Sequence, residues 1–249
     1  MAEITTSQIG NGTTAYGADI VVNAIAYTAV DLAETNQSTA NLINGESAGK
    51  LAAATARVGA RFIQISTDYV FDGNKRTPYL TTDFTEPVTA YGKSKLRGEQ
   101  LVASSGVDYA IMRTAWLYGQ NGKCFPKTIA RVLLEKGNVN VVDDQHGQPT
   151  WTRDVADQVI QIAALERMPR IVHAVSSGSA TWADFAAQIA VSLGMDPETA
   201  ISRVSTEDFP TAAKRPSWSV LENHIAGATP IGDWKVRWQE AAEKVLKID

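Results

Sequence analysis

"RFIQISTDYVFDG" at residues 61–73 decides the fold class of this chain. Its first five residues form a short, mainly apolar run, which is typical of a buried strand. Directly after this run come the hydroxyls of Ser66 and Thr67, the carboxylate of Asp68 and two aromatic rings. Ligands of open parallel sheets bind at the carboxyl ends of the strands, so we expect a functional hydroxyl at this position.

A second motif, "YGKSK" at 91–95, lies at the start of a helix that the pattern predicts over about 90–104. Tyr91 and Lys95 are four residues apart, so both side chains lie on one helix face. A nearby ammonium lowers the pKa of a phenol, and Tyr91 could then donate a proton to a carbonyl oxygen as hydride reaches the carbon. Thr67 could hydrogen-bond the same oxygen and polarise it. Taken alone, however, this spacing also fits an exposed helix start with a solvated lysine.

Strand and helix patterns alternate through the first half of the chain. "DIVVNAIAY" at 19–27 predicts a buried strand, and a helix is expected from about 38 to 58. A further strand is expected to begin at 108 and to run toward 119. Strands alternating with helices indicate a parallel sheet with helices on both faces, so the predicted class is α/β.

The second half has a looser pattern. Thr181 with Asp184 three residues later predicts a capped helix start. The predicted elements are a helix at 124–136, a strand at 139–142, a helix at 153–166, a strand at 170–175, a helix at 181–193 and a final helix at 234–246.

Composition excludes several classes of protein. Hydrophobic residues make up 44% of the chain and charged residues 20%, as in an ordinary globular protein. The net charge is −4 and no Lys/Arg run exceeds two residues, so we expect no nucleic-acid partner. We also expect neither a membrane span nor a metal, since long apolar runs and metal-ligand spacing are lacking, and the single Cys124 fits a reducing, cytoplasmic location.

Six stretches resemble, in order and spacing, the dTDP-4-dehydrorhamnose reductases, which are extended members of the short-chain dehydrogenase/reductase superfamily. The resemblance covers nearly everything from about residue 19 onward, and the motifs are specific as a set. The stretches are "VVNAIAYTAVDLAE" (21–34), "ISTDYVFDG" (65–73), "TAYGKSKLRGEQ" (89–100), "RTAWLYGQNG" (113–122), "VVDDQHGQPTWTRDVA" (141–156) and "RPSWSVLEN" (215–223).

The resemblance implies a fold, a domain division and a reaction. The fold is a Rossmann-like doubly wound parallel sheet, truncated at its N-terminus, with a smaller C-terminal substrate-binding lobe. Residues 1–140 would form the NAD(P)-binding domain, and residues 141–249 mainly the lobe, with some segments returning to the first domain. The reaction would be reduction of the C4 keto group of a dTDP-6-deoxy-hexulose by NADPH or NADH, giving dTDP-L-rhamnose.

The resemblance also implies roles for single residues. Tyr91 resembles the proton donor, and Lys95 looks like the residue that lowers its pKa and holds the nicotinamide ribose. Thr67 resembles their hydroxyl partner. Asp68 and Trp116 look like substrate contacts, although Trp116 could instead be core packing.

Two further groups of residues match the family. Arg215 could meet the phosphates of the nucleotide, or it could form a salt bridge at the surface or between the lobes. The residues implied to contact the cofactor are Ala26, Tyr27, Thr28, Ile65, Tyr91 and Lys95, of which Tyr27 and Thr28 could also be plain strand-end residues.

The sequence departs from the family at its beginning. The family opens with a strand and a Gly-x-x-Gly-x-x-Gly turn whose amides cradle the cofactor pyrophosphate. Here Gly10, Gly12 and Gly17 precede the first predicted strand, and we interpret them as a turn. By the alignment roughly fifty residues and three strands of the doubly wound sheet are lacking, which would leave the strand at 19–27 as an exposed edge.

Three interpretations of this departure stay open. The chain could be part of an active reductase with a misplaced start. It could be a catalytically inactive binding or regulatory protein, as the reductase-like regulatory subunit of methionine adenosyltransferase is, completed by a second copy or another partner at the exposed edge. It could also act on a different nucleotide sugar.

Overall fold

The computed structural model describes residues 17–225 and 227–247. Its strands, in chain order, are β1 (Ile20–Asn23), β2 (Arg61–Thr67), β3 (Tyr109–Thr114), β4 (Leu117–Tyr118), β5 (Val139–Val142), β6 (His146–Gly147), β7 (Thr150–Trp151), β8 (Ile171–His173), β9 (Ser176–Ser177), β10 (Ala180–Thr181), β11 (Ile201–Val204) and β12 (Ile231–Asp233).

Nine α-helices lie in these described ranges, with two 3₁₀ turns at Asp68–Val70 and Thr206–Asp208 and a π-helical segment at Asn41–Glu46. No described helix is long and apolar enough to cross a bilayer. The α-helices are α1 (Val30–Thr35), α2 (Gln37–Ala40), α3 (Ser47–Arg57), α4 (Ala90–Ala103), α5 (Phe125–Lys136), α6 (Thr152–Ala164), α7 (Trp182–Ser192), α8 (Pro197–Ala200) and α9 (Trp234–Val245).

The main sheet is parallel, with the strand order β1-β2-β3-β8. Phe62 of β2 pairs with Val21 on one side and with Tyr109 on the other, and Ile111 of β3 pairs with Ile171 of β8. All four carboxyl ends therefore meet at one edge. Within the described residues β1 has β2 as its single neighbour, which makes it an outer strand.

Helices cover both faces of this sheet, as the alternating pattern predicts. Phe62 packs with Ala52 of α3 and Val102 of α4, while the next residue, Ile63, packs with Ile162 of α6 on the opposite face. Successive side chains of a strand point to opposite faces, so both Phe62 and Ile63 are fully buried.

Helix α4 starts at a fixed position beside the sheet edge. The Thr89 side chain accepts a hydrogen bond from the Gly92 amide at 3.0 Å, which is an N-cap. The Glu34 carboxylate of α1 accepts another from the Ala90 amide at 2.9 Å. These two bonds satisfy amides of the first helical turn and hold Tyr91 in place.

The π-helical segment packs closely on α4. At Gly98 an added Cβ would overlap the backbone oxygen of Asn44, and at Gly45 it would lie 2.9 Å from Cγ of Arg97. Gly45 and Gly98 thus allow the backbones of the π-helical segment and α4 to approach each other closely. The sequence predicted one regular helix over 38–58, and the structure instead divides this span into α2, the π-helical segment and α3.

A second core lies beyond the sheet and is built around aromatic side chains. Tyr118, Phe185 and Trp238 are buried and stand 5.2–5.4 Å apart between ring centroids. Thr181 caps α7 with Asp184 in a reciprocal capping box, as predicted. The domain division at residue 140 falls within β5 and stays a prediction.

Two predicted strands are shorter in the structure. The strand expected over 19–27 ends at Asn23, and the strand expected from 108 toward 119 is split, because Trp116 has a φ of 43° that a strand does not allow. Of the N-terminal glycines, Gly10 and Gly12 lie outside the described residues, and Gly17 lies in a turn with a φ of 57°.

Candidate active site

A cleft of 860 Å³ opens at the carboxyl ends of β1, β2 and β3. The structure brings nine of the ten residues proposed from the sequence into its lining and leaves Tyr27 outside it. The nine are Ala26, Thr28, Ile65, Thr67, Asp68, Tyr91, Lys95, Trp116 and Arg215.

Thr67 ends β2 and turns the chain into a 3₁₀ turn. Its hydroxyl donates to Asp68 Oδ1 at 2.9 Å and accepts from the Tyr69 amide at 3.2 Å. Asp68 is buried, and its Oδ2 has no hydrogen-bond partner within the described residues. Burial raises the pKa of the Asp68 carboxyl to about 6, against the opposing effect of the Ser219 and Thr67 hydroxyls.

The Tyr91 phenol lies beside Thr67 and packs edge-on against the ring of Tyr69, with centroids 5.7 Å apart. Burial raises the pKa of Tyr91, and the neighbouring Thr67 hydroxyl offsets this only in part. The prediction of a phenol acidified by Lys95 is therefore not met in this structure. The physical reason is that desolvation of the phenolate dominates the pKa.

Lys95 is directed at the backbone of β2. Its ammonium donates to the Ile65 carbonyl at 2.6 Å, and the Gln64 side chain donates to the same oxygen at 2.8 Å. Gln64 is in turn held by Asn23 of β1 at 2.8 Å. Burial lowers the pKa of Lys95 to about 8, while Glu99 raises it.

Trp116 forms an aromatic wall of the cleft. Its ring stacks on Trp182 with centroids 3.5 Å apart and planes 4° from parallel, and Phe125 contacts Trp182 at 4.6 Å. An added Cβ at Gly147 would overlap the Trp116 indole, so this glycine makes room for the ring. Trp116 thus lines the cleft and is not a plain core residue.

Arg215 enters the cleft from the C-terminal part of the chain and forms an ion pair. Its guanidinium lies 2.5 Å from Asp31 Oδ2 on α1 and 3.4 Å from the Tyr69 hydroxyl. Asp31 also accepts from the Ala213 amide at 3.0 Å. The predicted salt bridge between distant parts of the chain is therefore present, and Arg215 also lines the cleft, while its contact with nucleotide phosphates stays a prediction.

Tyr27 does not face the cleft. Its backbone amide donates to the Asn44 side chain at 2.8 Å, its carbonyl accepts from the same side chain at 3.1 Å, and its ring packs with Ala33, Ala40 and Ala90. Asn44 also donates to Ser94 of α4 at 2.9 Å. Tyr27 therefore helps to fix the loop that carries Ala26 and Thr28.

The described residues fit the nicotinamide half of a dinucleotide. The buried Lys95 ammonium has three N–H groups and, within the described residues, a hydrogen bond only to the Ile65 carbonyl, so it could also bind ribose hydroxyls. Ala26, Thr28 and Ile65 line the same cleft with small or apolar groups.

Sequence reasoning missed several residues that hold the site together. Glu99 and Arg113 form a buried ion pair behind Lys95, and Asp31 binds Arg215 across the chain. The four-residue spacing of Lys95 and Glu99 on one helix was a signal that could have identified Glu99. Asp31 carried no comparable signal, since its partner is 184 residues away.

The parallel sheet and a cleft lined by Thr67, Tyr91 and Lys95 define a reductase of the short-chain dehydrogenase/reductase class. The family model described as the RmlD substrate binding domain matches residues 5–248. A curated dTDP-4-dehydrorhamnose reductase of Burkholderia thailandensis is 44% identical over 219 residues, which cover 82% of this chain and 74% of the relative. The chain therefore belongs to the dTDP-4-dehydrorhamnose reductase family.

Other relatives agree with this assignment. A probable dTDP-4,6-dihydroxy-2-methyloxan-3-one 4-ketoreductase of Streptomyces antibioticus is 41% identical, over 92% of this chain and 79% of its own. The crystal structure of a dTDP-4-dehydrorhamnose reductase from Clostridium acetobutylicum superposes with a TM-score of 0.90 at 36% identity, covering 96% of this chain and 85% of the other. The enzyme of Bacillus anthracis, solved in complex with NADP, gives a TM-score of 0.90 at 33% identity and covers 95% and 84% of the two chains.

Proposed function

We propose that this protein is an NAD(P)H-dependent reductase that converts the C4 keto group of dTDP-4-dehydro-L-rhamnose to the alcohol of dTDP-L-rhamnose. The observation that carries the proposal is the meeting of Thr67, Tyr91 and Lys95 at one sheet edge in a chain of this family. Its reaction class is an oxidoreductase acting on a keto-sugar nucleotide.

The residues of the cleft divide the chemistry between them. Bound NADPH or NADH supplies the hydride. Tyr91 donates its phenolic proton to the C4 oxygen, and the raised pKa keeps that proton on the phenol until the oxygen becomes basic. Thr67 would turn its single hydroxyl proton from Asp68 to the same oxygen and so stabilise the charge that develops there.

Other residues bind and orient the two ligands. Lys95 holds the nicotinamide ribose from the end of β2, with Ala26, Thr28 and Ile65 along the cofactor side of the cleft. Asp68 and Trp116 contact the sugar. Arg215 meets the diphosphate, which would then compete with Asp31 for the guanidinium.

Tyr91→Phe tests the proposal, because it removes the proton and leaves the ring contacts with Tyr69. We expect turnover to fall by about 100-fold or more, in the range of lost general acid catalysis, with the thermal midpoint nearly unchanged. The measurement is NADPH oxidation in the presence of the 4-keto-6-deoxy sugar nucleotide. Tyr109→Phe, a change away from the cleft, is the matched control and should retain activity.

The wild-type result separates this function from its alternative. A purified wild-type chain that neither oxidises NADPH nor binds a nicotinamide nucleotide would reject the reductase and favour the binding or regulatory protein. Retained activity in Tyr91→Phe would reject Tyr91 as the proton donor but would leave the proposed reductase function in place.

The remaining parts of the proposal concern partners and location. The outer edge of β1 is proposed to pair with a second copy or another chain, since unpaired strand edges favour such contacts. Light scattering of the purified protein tests this, and a strictly monomeric mass would reject pairing with a second copy. The cytoplasmic location stays a prediction.

A further inference from the structure

A buried polar network lies directly behind Lys95. Glu99 follows Lys95 by one turn on α4, and its carboxylate accepts from Ser66 Oγ at 2.6 Å. Arg113 of β3 donates to both carboxylate oxygens, from Nε at 3.0 Å and from Nη2 at 2.7 Å. The side chains of Arg113 and Glu99 are 3% and 5% exposed, so the ion pair is shielded from solvent.

Stability alone is a poor explanation for this network. Taking two charges out of water costs free energy, and replacing a buried pair with apolar side chains is often neutral or stabilising. Arg113 also has a buried Nη1 that finds no partner in the described part of the chain. A network with this cost and an unsatisfied N–H group is better explained by what it does for its neighbours.

The neighbours of Lys95 carry few charges that can support an ammonium. β2 contributes the Ile65 carbonyl, and the turn after β2 contributes Asp68 and Tyr69. α4 contributes Tyr91 and Glu99, and β3 contributes Arg113, which pairs with Glu99. Of these groups, Glu99 is the one whose charge raises the pKa of Lys95 against the effect of burial.

We infer that Glu99 is a positioning residue for the proposed reaction: Ser66 and Arg113 fix its carboxylate one helical turn beyond Lys95, where it keeps the lysine charged and directed at the end of β2. The inference rests on the proposed function for its catalytic meaning. It extends the Tyr-x-x-x-Lys pair by one more turn, to a residue that touches neither substrate nor cofactor.

The test is an NMR titration of Lys95 in the protein without cofactor. The Lys95 side-chain signals are assigned by their absence in Lys95→Arg and followed against pH in the wild type and in Glu99→Gln. Glutamine keeps the size of the side chain and one acceptor oxygen, but it removes the charge and replaces the second acceptor with an NH₂ donor. We expect the Lys95 midpoint to fall by about one pH unit in Glu99→Gln.

The matched control is Glu46→Gln. Glu46, at the end of the π-helical segment, pairs with Arg97 of α4 at 3.4 Å, but this pair lies on the surface, with side chains 46% and 51% exposed. The Lys95 midpoint in this variant should equal the wild-type value. If Glu99→Gln fails to fold, the double variant Glu99→Gln/Arg113→Met removes both charges of the pair, and a lowered Lys95 midpoint is expected there as well.

Activity gives the second measurement. The alkaline limb of the kcat/KM profile should move to lower pH in Glu99→Gln by the same amount as the NMR midpoint. An unchanged Lys95 midpoint in Glu99→Gln would overturn the inference, as would an equal shift in Glu46→Gln. Because the titration requires no turnover, an inactive wild type would reject the proposed function while the titration still decides the effect of Glu99.

Discussion

Trp116 adopts a left-handed backbone conformation, with a φ of 43°, at the point where the cleft begins. Such a conformation costs about 1–3 kcal/mol for a residue other than glycine and persists only where its surroundings hold it. Here the surroundings are the stack on Trp182 and the space left by Gly147. The strain at this residue places the indole in the cleft rather than in the core.

Gly147→Ala should displace that indole, because the added methyl group would overlap it. We expect KM for the sugar nucleotide to rise severalfold while kcat changes less, since the proton donor is untouched. Steady-state kinetics measures both constants. Gly232→Ala is the control, because its methyl group would meet only Cδ of Arg237 at 3.5 Å. Equal KM and kcat values in the two variants would reject the role of Trp116 as a substrate contact.

Asp68 should make stability depend on pH in an unusual direction. Its pKa is raised from 3.8 to about 6, so between these values the folded protein keeps a proton that the unfolded chain releases. Stability from this group is complete below pH 4 and is lost as the pH rises to 6, by about 3 kcal/mol for a shift of this size.

Asp68→Asn removes this dependence. The variant should match the stability of the wild type near pH 4 and exceed it above pH 6. Both values are lowered by the free energy lost when the hydrogen bond from Thr67 is weakened. Urea unfolding at a series of pH values measures the difference. Parallel stability curves for the two proteins would show that the carboxyl is not desolvated in solution.

At the scale of elements, α4 depends on its fit against the π-helical segment. Gly98→Ala would add about 1 kcal/mol of stability by helix propensity alone. The new methyl group would overlap the Asn44 carbonyl, however, so we expect a net loss of about 1–3 kcal/mol. Thermal unfolding measures it, with Lys93→Ala on the exposed face of α4 as control. A stabilised Gly98→Ala would mean that the two elements separate easily.

Regular elements could be predicted from the sequence because their signals are local. The run at 61–66 and the capping pair Thr181 and Asp184 gave β2 and the start of α7 nearly to the residue. Local motifs and the resemblance to the family likewise gave nine residues of the cleft. The π-helical segment left no such signal, since the close approach of α4 at Gly45 and Gly98 is a contact between elements distant in sequence.

Electrostatics in the site could not be predicted from spacing alone. Tyr91 and Lys95 lie on one helix as expected, but burial raises the pKa of Tyr91, and the Thr67 hydroxyl offsets this only in part. Burial of a hydroxyl depends on all the elements around it. The same is true of Arg113 and Glu99, whose ion pair forms only after β3 is placed beside α4.

At the scale of the whole molecule, Asp31 and Arg215 connect the two ends of the described chain. Asp31 is 43% exposed, so the pair should contribute only about 0.2–1 kcal/mol to stability. Its larger effect is local, because Asp31 also holds the Ala213 amide and so fixes the irregular segment that crosses the cleft.

Asp31→Asn should therefore loosen that segment without unfolding the protein. We expect trypsin to cleave after the exposed Lys214 severalfold faster, with the thermal midpoint within a few degrees of the wild type. Mass spectrometry of a digestion time course measures the rate. Asp108→Asn, which breaks the exposed pair with Arg170, is the control, and the same acceleration there would exclude a local effect of Asp31.

The stacked indoles of Trp116 and Trp182 have a practical consequence. Stacked rings with nearly parallel planes and centroids 3.5 Å apart influence each other's excited states, so their emission and near-ultraviolet dichroism depend on the separation. A molecule that enters the cleft and separates the two rings would therefore change the tryptophan emission and the near-ultraviolet dichroism of the protein. The protein thus carries an intrinsic spectroscopic probe at the mouth of its cleft, and titrations of candidate sugar nucleotides require no attached dye.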